Sequence, residues 1–391
     1  SYTFTGLNEK TNYSIKVKVV DTLGRESNIY GLSATTDAYV LPSITNVSTS
    51  STYNSITINV SASEGTVNVV KYYYSKDNGS NYVESTSNSY TFNNLTSDAT
   101  FYVKVYVKDS NNRESSVSST SIRTKIPLKE VCSSGTNLAS CIKAYGNKGA
   151  NATNVYIHDS SLTNGAGDNS YRFAGASDDV SNYVCFGSTT IPCPEDNLYR
   201  IIGVFGDKVK LIRNKSVGNR AWDSKNRNTW STSSLNTYLN YEFKNTLGDW
   251  VNKIVDTTWK VGGFSDSSQP ANKVYQNEIN SSPSETKKIG LMYASDYGFA
   301  AAPSAWTTTL GGYGKVAIKS ANWMYLGSDE WTISRRGGFS LYAFSVNESG
   351  SVTGSYNYVT NAHAVLPVFN LVSSVTYVSG DGTKTEPIHI N

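Results

Sequence analysis

Hydrophobic and polar positions alternate along residues 43–124, and this alternation predicts β-strands. Ile56, Ile58 and Val60 are separated by polar residues, and the same period of two returns later in the segment. Such a strand buries one face and leaves the other in water. Clusters of Ser, Asn and Gly interrupt the runs every ten residues or so, which is typical of a β-sandwich. We therefore predict an all-β sandwich over 37–124.

The same pattern occurs twice in the N-terminal third of the chain. Residues 3–27 are repeated at 91–115 with a constant offset of 88 residues. A repeat of this size is typical of a small module used in tandem as a spacer. In this register 37–124 is a complete module, whereas 1–36 supplies only the last third of another. Because so few strands cannot bury a core, we expect an upstream piece or a neighbouring chain to complete it.

The character of the sequence changes after residues 125–131, which we predict to be a short linker. Residues 132–391 combine helical spacing, such as the apolar positions of 138–145, with strand-like runs and long polar loops. This mixture predicts an α+β domain. Long loops on a rigid frame are where binding sites usually lie, so we interpret the domain as a binding head presented by a stalk.

Other local patterns predict individual elements of the head. Residues 199–212 read as a β-hairpin that turns at Gly206-Asp207, and 288–293 reads as a buried strand. Trp323 and Trp331 lie in apolar, strand-like surroundings, so we predict that both belong to the core.

Composition limits which kinds of binding partner and which cellular compartment are expected. Charged residues make up 17% of the chain, and its net charge is only +3 with no basic run, so we expect neither nucleic acid nor direct membrane contact. The four cysteines form two close pairs, Cys132/Cys141 and Cys185/Cys193. We predict sequence-local disulfides and an oxidising compartment. The other two connectivities and free thiols remain alternatives.

Two stretches of the N-terminal third resemble the fibronectin type III family. The pattern Leu-x5-Tyr-x-Ile-x-Val-x-Val at 7–19 is similar to its tyrosine corner and F strand, and residues 21–27 are similar to its F–G turn. In the second module Phe101 replaces the corner tyrosine. The resemblance implies a spacer or adhesion module.

A second resemblance covers about 135–391. Five runs of this head resemble a recurring domain of bacterial surface proteins, which is distantly similar to the C-type-lectin-like fold. These runs are 182–187, 198–205, 228–240, 323–335 and 364–369. The resemblance implies an α+β C-type-lectin-like head that carries ligands on loops of its C-terminal half.

The candidate ligand-binding residues therefore come from the late loops between 335 and 363. This stretch is rich in Tyr, Ser, Asn and Gly, the residue types that also dominate antibody binding loops. Arginine could grip a carboxylate or stack on a ring. The alternative is that the stretch is ordinary surface, because the whole chain is rich in these residues. The candidates are Arg335, Arg336, Phe339, Tyr342, Asn347, Tyr356, Asn357, Tyr358, Asn361 and His363.

Reactive chemistry is poorly represented in the sequence. Formylglycine-generating enzymes share the C-type-lectin-like fold and need reactive cysteines in its C-terminal half, but no cysteine follows Cys193. Calcium-dependent lectins bind the ion through a motif with a carboxylate, which Gln269-Pro270-Ala271 lacks. The three histidines, at 158, 363 and 389, are expected at the surface. We predict no enzyme activity, no cofactor and no metal. A calcium site using Asp296, Asp329 or Glu330 remains an alternative.

Together these observations predict a bacterial extracellular adhesin or receptor-binding protein, on the cell surface or secreted. Its expected partner is a host or bacterial surface protein or a glycan. One alternative is a structural subunit of a surface filament or sheath, which would self-assemble through the incomplete N-terminal module. A glycan-active enzyme is a third hypothesis.

Overall fold

The computed structural model describes residues 1–266 and 268–391. These residues form two compact units, 1–124 and 125–391. The chain is multidomain and mostly β-sheet, with few helices. Within the described ranges, no helix combines the length and the apolar character needed to cross a membrane.

The first unit contains nine strands in three sheets. A two-stranded hairpin pairs β1 with β2, a three-stranded sheet has the order β3-β4-β7, and a four-stranded sheet has the order β6-β5-β8-β9. The strands are β1 Asn12–Val17, β2 Tyr30–Thr35, β3 Ser43–Ser51, β4 Ile56–Ser63, β5 Val69–Ser75, β6 Val83–Ser85, β7 Ser89–Phe92, β8 Thr100–Asp109 and β9 Ser118–Arg123. The last two sheets pack around one buried core, so the predicted all-β architecture of this region is confirmed.

The two copies of the repeat place the same apolar positions in opposite environments. Val105 and Val107 of β8 are buried in the sandwich core, at 1% and 0% exposure. Their counterparts in the first copy, Val17 and Val19, are exposed at 50% and 67%. The difference arises because β1 and β2 form a hairpin with no second sheet packed on it. The first copy thus has the pattern of a sandwich without its core.

Tyr39 connects the two copies of the repeat. Its backbone N–H donates to the Glu9 carboxylate at 2.6 Å, and its hydroxyl donates to the Asp109 carboxylate. The guanidinium of Arg113 stacks on the Tyr39 ring at 3.6 Å. One residue therefore contacts the segment before β1, the end of β8 and the turn that follows β8.

Among its described residues, the second unit, which we call the head, forms two larger sheets and one small one. Its strands are β10 Val155–Ile157, β11 Tyr171–Phe173, β12 Tyr183–Cys185, β13 Leu198–Phe205, β14 Lys208–Arg213, β15 Asn219–Ala221, β16 Thr257–Lys260, β17 Ser284–Lys287, β18 Ile289–Gly290, β19 Glu330–Arg335, β20 Ala343–Val346, β21 Val352–Thr353, β22 Ala362–Ala364, β23 Val368–Asn370, β24 Tyr377–Ser379 and β25 Ile388–Ile390. A nine-stranded sheet has the path β18-β23-β14-β13-β12-β25-β24, with β11 on β13 and β10 on β11. A five-stranded sheet has the order β15-β22-β19-β20-β21, and β16 pairs with β17.

Helices in the head are short. They are α1 Leu138–Gly146, α2 Ala150–Thr153, α3 Ser234–Thr237, α4 Lys244–Thr246, α5 Ala271–Ile279, α6 Ala294–Ala300 and α7 Val316–Lys319, with a π-helical segment Tyr238–Phe243 between α3 and α4. Short 3-10 turns complete the helical content: Leu128–Glu130, Glu195–Asn197, Trp230–Thr232, Gly248–Lys253, Pro303–Ala305 and Leu310–Gly312. The head contains both helices and strands, as predicted for an α+β domain, but strands predominate among its described residues.

Several local predictions are confirmed and two are wrong. The helix over 138–145 and the hairpin turning at Gly206-Asp207 are present. The predicted strand 288–293 shrinks to β18, because the chain turns into α6 immediately afterwards. Residues 125–131 are not a free linker, because Ile126 and Leu128 are buried in the core of the head. Removing their apolar surface from water lowers the free energy of the folded state.

Both disulfides have the predicted sequence-local connectivity. Cys132 pairs with Cys141 in α1, and Cys185 of β12 pairs with Cys193. Disulfides persist in oxidising compartments, so they favour an extracellular or secreted protein.

Large aromatic side chains dominate the core of the head. Trp323 and Trp331 are buried, as predicted. His158 corrects the expectation of a surface histidine: it is fully buried, with its ring against Phe299 and Trp306. Burial lowers the pKa of His158 to about 3, so the imidazole is neutral at physiological pH.

Candidate functional site

The late loops meet beside the β19–β20 hairpin of the five-stranded sheet. Residues 336–342 connect β19 to β20, and 354–361 connect β21 to β22. The two loops are joined by main-chain hydrogen bonds, from Val359 N–H to the Leu341 carbonyl at 2.9 Å and from Ala343 N–H to the Asn357 carbonyl at 3.3 Å. Residues far apart in sequence are thereby held side by side.

Five of the predicted residues form a continuous cluster on these loops, which we call the aromatic platform. The ring of Tyr342 is central: its centroid lies 5.8 Å from Phe339, 6.5 Å from Tyr356 and 4.9 Å from Tyr358. The guanidinium of Arg336 lies 4.3 Å from the Phe339 ring, a cation–π contact. The platform thus consists of four aromatic rings and one fixed cation.

The outer rings of the platform are unusually accessible. Phe339, Tyr356 and Tyr358 are exposed at 48%, 81% and 40%. Tyr356 also has a positive φ of 57°, a left-handed conformation that bulky residues rarely adopt. Conformations of this kind persist where the surrounding structure imposes them, and they cluster at functional sites.

Arg336 keeps donor capacity for a ligand. One of its terminal nitrogens donates to the Gly354 carbonyl at 3.2 Å and to the Ser355 hydroxyl at 3.1 Å. A guanidinium has five N–H donors. Within the described part of the chain its other nitrogens have no hydrogen-bond partner, so they are free to donate to a carboxylate or carbonyl oxygen of a ligand.

Asn228 holds the first loop from beneath. Its side-chain amide donates to the carbonyl oxygens of Phe339 and Tyr342 at 2.5 and 2.7 Å, and its backbone N–H donates to that of Ser340 at 2.8 Å. Asn228 is buried. Its hydrogen bonds fix the loop geometry, because an unpaired buried amide or carbonyl would cost free energy.

Asn357 corrects a predicted ligand contact. Its side chain is buried and donates to the Ala343 carbonyl at 2.9 Å and to the Ser345 hydroxyl at 2.8 Å. Its amide oxygen lies 2.7 Å from Nε2 of His363. Asn357 therefore supports its exposed neighbours Tyr356 and Tyr358 and does not reach the surface itself.

His363 is also mainly internal. It is half-buried, and its ring lies 4.2 Å from that of Trp331. Burial lowers the pKa of His363, and the attraction to Asp329 only partly opposes this effect. A neutral imidazole beside Asn357 is a positioning group, not a charged contact for a ligand.

The three remaining predicted residues lie outside the cluster. Nε of Arg335 donates to the Gly262 carbonyl at 2.9 Å, which draws this side chain away from Arg336. Asn347 closes its own turn by accepting the Ser351 N–H at 2.9 Å. Asn361 is exposed and its N–H donates to the Tyr358 carbonyl, so it borders the platform.

The three carboxylates considered as calcium ligands differ in burial and in pairing. Asp296 is paired with Lys210 at 2.5 Å, Glu330 is buried, and Asp329 is partly exposed. Among the residues described, no group of three or more Asp, Glu, His or Cys is arranged to hold a metal ion.

Sequence reasoning did not identify Asn228 as a site residue. It lies in the run 228–240 that carried the resemblance, but its hydrogen bonds cross 108 to 114 residues of sequence. Only folding brings it beneath Phe339 and Tyr342. Leu341, exposed at the edge of the same loop, was also missed.

Comparison with known proteins finds structural similarity at low coverage. No protein-family model matches the chain, and no curated protein sequence matches it. Solved structures that resemble it include domains d3–d4 of the rat CD45 extracellular region, at 15% identity over 32% of this chain and 69% of that chain, with a TM-score of 0.22. The PKD1 domain of Vibrio anguillarum Epp is 14% identical over 23% of this chain and 100% of that chain, with a TM-score of 0.20. The FN1–FN3 domains of chicken CNTN1 are 18% identical over 32% of this chain and 46% of that chain, with a TM-score of 0.21. These neighbours are all-β domains of the fibronectin type III or PKD type.

Proposed function

We propose that this chain is an extracellular binding protein of the bacterial surface, in which fibronectin type III-like modules present a C-type-lectin-like head. The head recognises a surface protein or a glycan non-covalently, through the aromatic platform. The observation that carries the proposal is the grouping of three exposed rings, Phe339, Tyr356 and Tyr358, around Tyr342.

The physical argument is the composition and the rigidity of this patch. Tyrosine and arginine are enriched among the residues that contribute most to binding, and aromatic rings offer a large contact area with few rotatable bonds. The platform is held by buried amides, from Asn228 below one loop and Asn357 below the other. Such support reduces the entropy lost on binding.

A binding screen with matched variants tests this proposal. The intact chain is applied to a glycan array and to a panel of surface proteins, and each hit is repeated with Tyr356→Ala plus Tyr358→Ala. We expect about a tenfold or larger loss of affinity for the double variant, with its melting temperature unchanged. The control is Tyr241→Ala plus Val316→Ala, because both residues are exposed but lie outside the platform. Hits that bind both double variants equally would reject the platform as the binding surface.

A second function is favoured by the first copy of the repeat. The exposed Val17 and Val19 occupy positions that are core in the complete module, so a neighbouring chain could cover them, as in a filament or sheath subunit. Light scattering over a range of protein concentrations tests this. Assembly that disappears in Val17→Thr plus Val19→Thr would support the structural role, and a monomer at all concentrations would reject it.

A further inference from the structure

We propose that the head has a second binding site, a cleft of about 280 Å3 that shares no residue with the aromatic platform. Its ligand would be a single six-membered ring that carries a carboxylate.

The walls of the cleft are aromatic and come from four separate elements. Phe205 lies at the end of β13, Trp259 on β16, Tyr275 on α5 and Tyr293 just before α6. Ile279, about one-third exposed, stands at the end of α5 and also lines the cleft. Concave sites with apolar walls and a few convergent polar groups are typical of small-molecule binding.

The floor of the cleft is a buried ion pair. Nζ of Lys210 lies 2.5 Å from a carboxylate oxygen of Asp296, and both residues are buried. Three rings surround the ammonium group, at 4.8 Å for Tyr293, 5.3 Å for Phe205 and 5.8 Å for Trp259. Burying a charged pair costs free energy that its mutual attraction often fails to recover. Ion pairs placed in this way, at the base of a cleft, are candidates for functional groups.

Lys210 has donors left over after it binds Asp296. An ammonium group has three N–H donors, and the contact with Asp296 is its single hydrogen bond to a described residue. The carboxylate is better satisfied, because it also accepts the Tyr293 N–H at 2.9 Å and lies 3.7 Å from Arg172. Burial lowers the pKa of Lys210, and the attraction to Asp296 opposes this effect. Burial disfavours a charged group that has few polar partners. An acceptor oxygen from a ligand would relieve this.

The charge balance of the lining favours an anionic acceptor. Lys210, Lys260 and Asp296 are the charged side chains that line the cleft, so its formal charge is positive by one. Lys260 lies on the exposed rim, where its backbone N–H donates to the Tyr293 hydroxyl at 2.7 Å. Aromatic walls accept the flat apolar face of a ring. The volume lies just below the range for ligand pockets, of roughly 300–1,000 Å3, which favours one ring over a longer chain.

Two sources could supply a carboxylated ring, a sugar acid or an aromatic acid, and the experiment separates them. Glucuronate, benzoate and glucose are titrated into the full chain by ligand-observed NMR. We expect glucuronate or benzoate to bind and glucose to bind at least about tenfold more weakly. Binding by glucuronate alone identifies a sugar acid, and binding by benzoate alone an aromatic acid. Equal binding of glucose would overturn the assignment of a carboxylate, and no binding by either acid would overturn the site.

Two variants of lining residues test whether the acids bind in the cleft. Ile279→Trp enlarges a side chain of the lining and leaves both residues of the ion pair in place, so binding should be lost, whereas Val316→Trp, at an exposed position outside the lining, should retain it. Lys260→Ala on the rim should weaken both acids several-fold and leave glucose unaffected, and it serves if Ile279→Trp does not fold. Tyr356→Ala plus Tyr358→Ala should bind the acids normally, which keeps this site distinct from the platform. Acid binding that survives both Ile279→Trp and Lys260→Ala would refute the inference.

Discussion

The side-chain amide of Asn228 donates a hydrogen bond to the main-chain carbonyl of Tyr342 at 2.7 Å, across 114 residues of sequence. This contact links the run before α3 to the central ring of the aromatic platform. It makes the platform part of the folded body of the head, although all five of its members lie on connecting loops.

Replacing Asn228 by Ala should weaken partner binding without removing any exposed side chain. The variant removes the side-chain donor of the Phe339 and Tyr342 carbonyl groups, although the Arg336 N–H still donates to that of Tyr342. We expect a cost of about 1–3 kcal/mol in the free energy of unfolding. The loop should relax, and affinity for any partner identified in the screen should fall. Denaturant melts and titrations measure the two effects. A matched control is Asn240→Ala, because Asn240 also bonds a main-chain carbonyl, that of Ile289, but lies outside the loop. Unchanged affinity in Asn228→Ala would contradict the supporting role.

Tyr356→Gly should separate stability from binding. At a positive φ the side chain of a bulky residue costs roughly 1–2 kcal/mol, which glycine avoids, although glycine also gains entropy in the unfolded chain. We therefore expect the free energy of unfolding to stay level or to rise by up to about 1 kcal/mol, whereas partner affinity falls. Tyr358→Gly provides the comparison, since Tyr358 has no positive φ and should be destabilised. A clear loss of stability in Tyr356→Gly would show that the backbone there is not strained.

Glu330 should make the head less stable as the pH rises from mildly acidic values. Burial raises the pKa of this carboxyl group from 4.5 to about 8, and the interactions with the Leu326 backbone and the Ser328 side chain oppose this rise only in part. The folded state therefore holds a proton that the unfolded state releases above about pH 4.5. Stability should fall by up to about 1.4 kcal/mol per pH unit between pH 4.5 and 8, and then level off.

Melting temperatures at pH 5 and pH 8 measure this dependence. Glu278 has a pKa raised to about 7 by burial and contributes with the same sign, so Glu330→Gln should reduce the difference between the two melting temperatures without abolishing it. Glu348→Gln, at an exposed position, should leave the difference as in the parent chain. An identical difference in Glu330→Gln and the parent would mean that Glu330 ionises freely in the folded head.

Reduction of the disulfides should destabilise the head. Each bridge closes a short loop, with sequence separations of 9 and 8 residues. Loop-closure entropy for rings of this size predicts a loss of about 2–3 kcal/mol per bridge. Melting curves with and without reductant, and for Cys132→Ala plus Cys141→Ala, measure the effect. The sandwich at 37–124 contains no cysteine, so its own transition should not move. A head transition that is insensitive to reductant would contradict the prediction.

Local patterns predicted the elements of this fold better than its long-range contacts. The alternation around Ile56 and Ile58 identified the sandwich, and the spacing over 138–145 identified α1, because both signals depend on neighbours in sequence. The residue types of the late loops likewise indicated where the platform would form. The inward turn of Asn357 could not be read from them, since an exposed Asn and a buried one differ only in their partners.

The ion pair of Lys210 and Asp296 illustrates the same limit in the head. The two residues are separated by 86 positions, and Lys210 belongs to an ordinary alternating strand while Asp296 begins a short helix. Nothing local distinguishes either from a solvated surface charge. His158 is similar: it is followed by an aspartate in a polar stretch, yet its ring packs on Phe299 and Trp306.

The contact of Tyr39 with Glu9, Asp109 and Arg113 has a mechanical consequence. Two hydrogen bonds and one stacked cation connect the segment before β1 in one repeat to the end of β8 and its turn in the next. These contacts restrict the relative rotation of the two repeats. Any longer array built on the same 88-residue period would gain length with every added copy while each joint remained stiff. Reach and rigidity would then be set by the number of copies, independently of what the head binds.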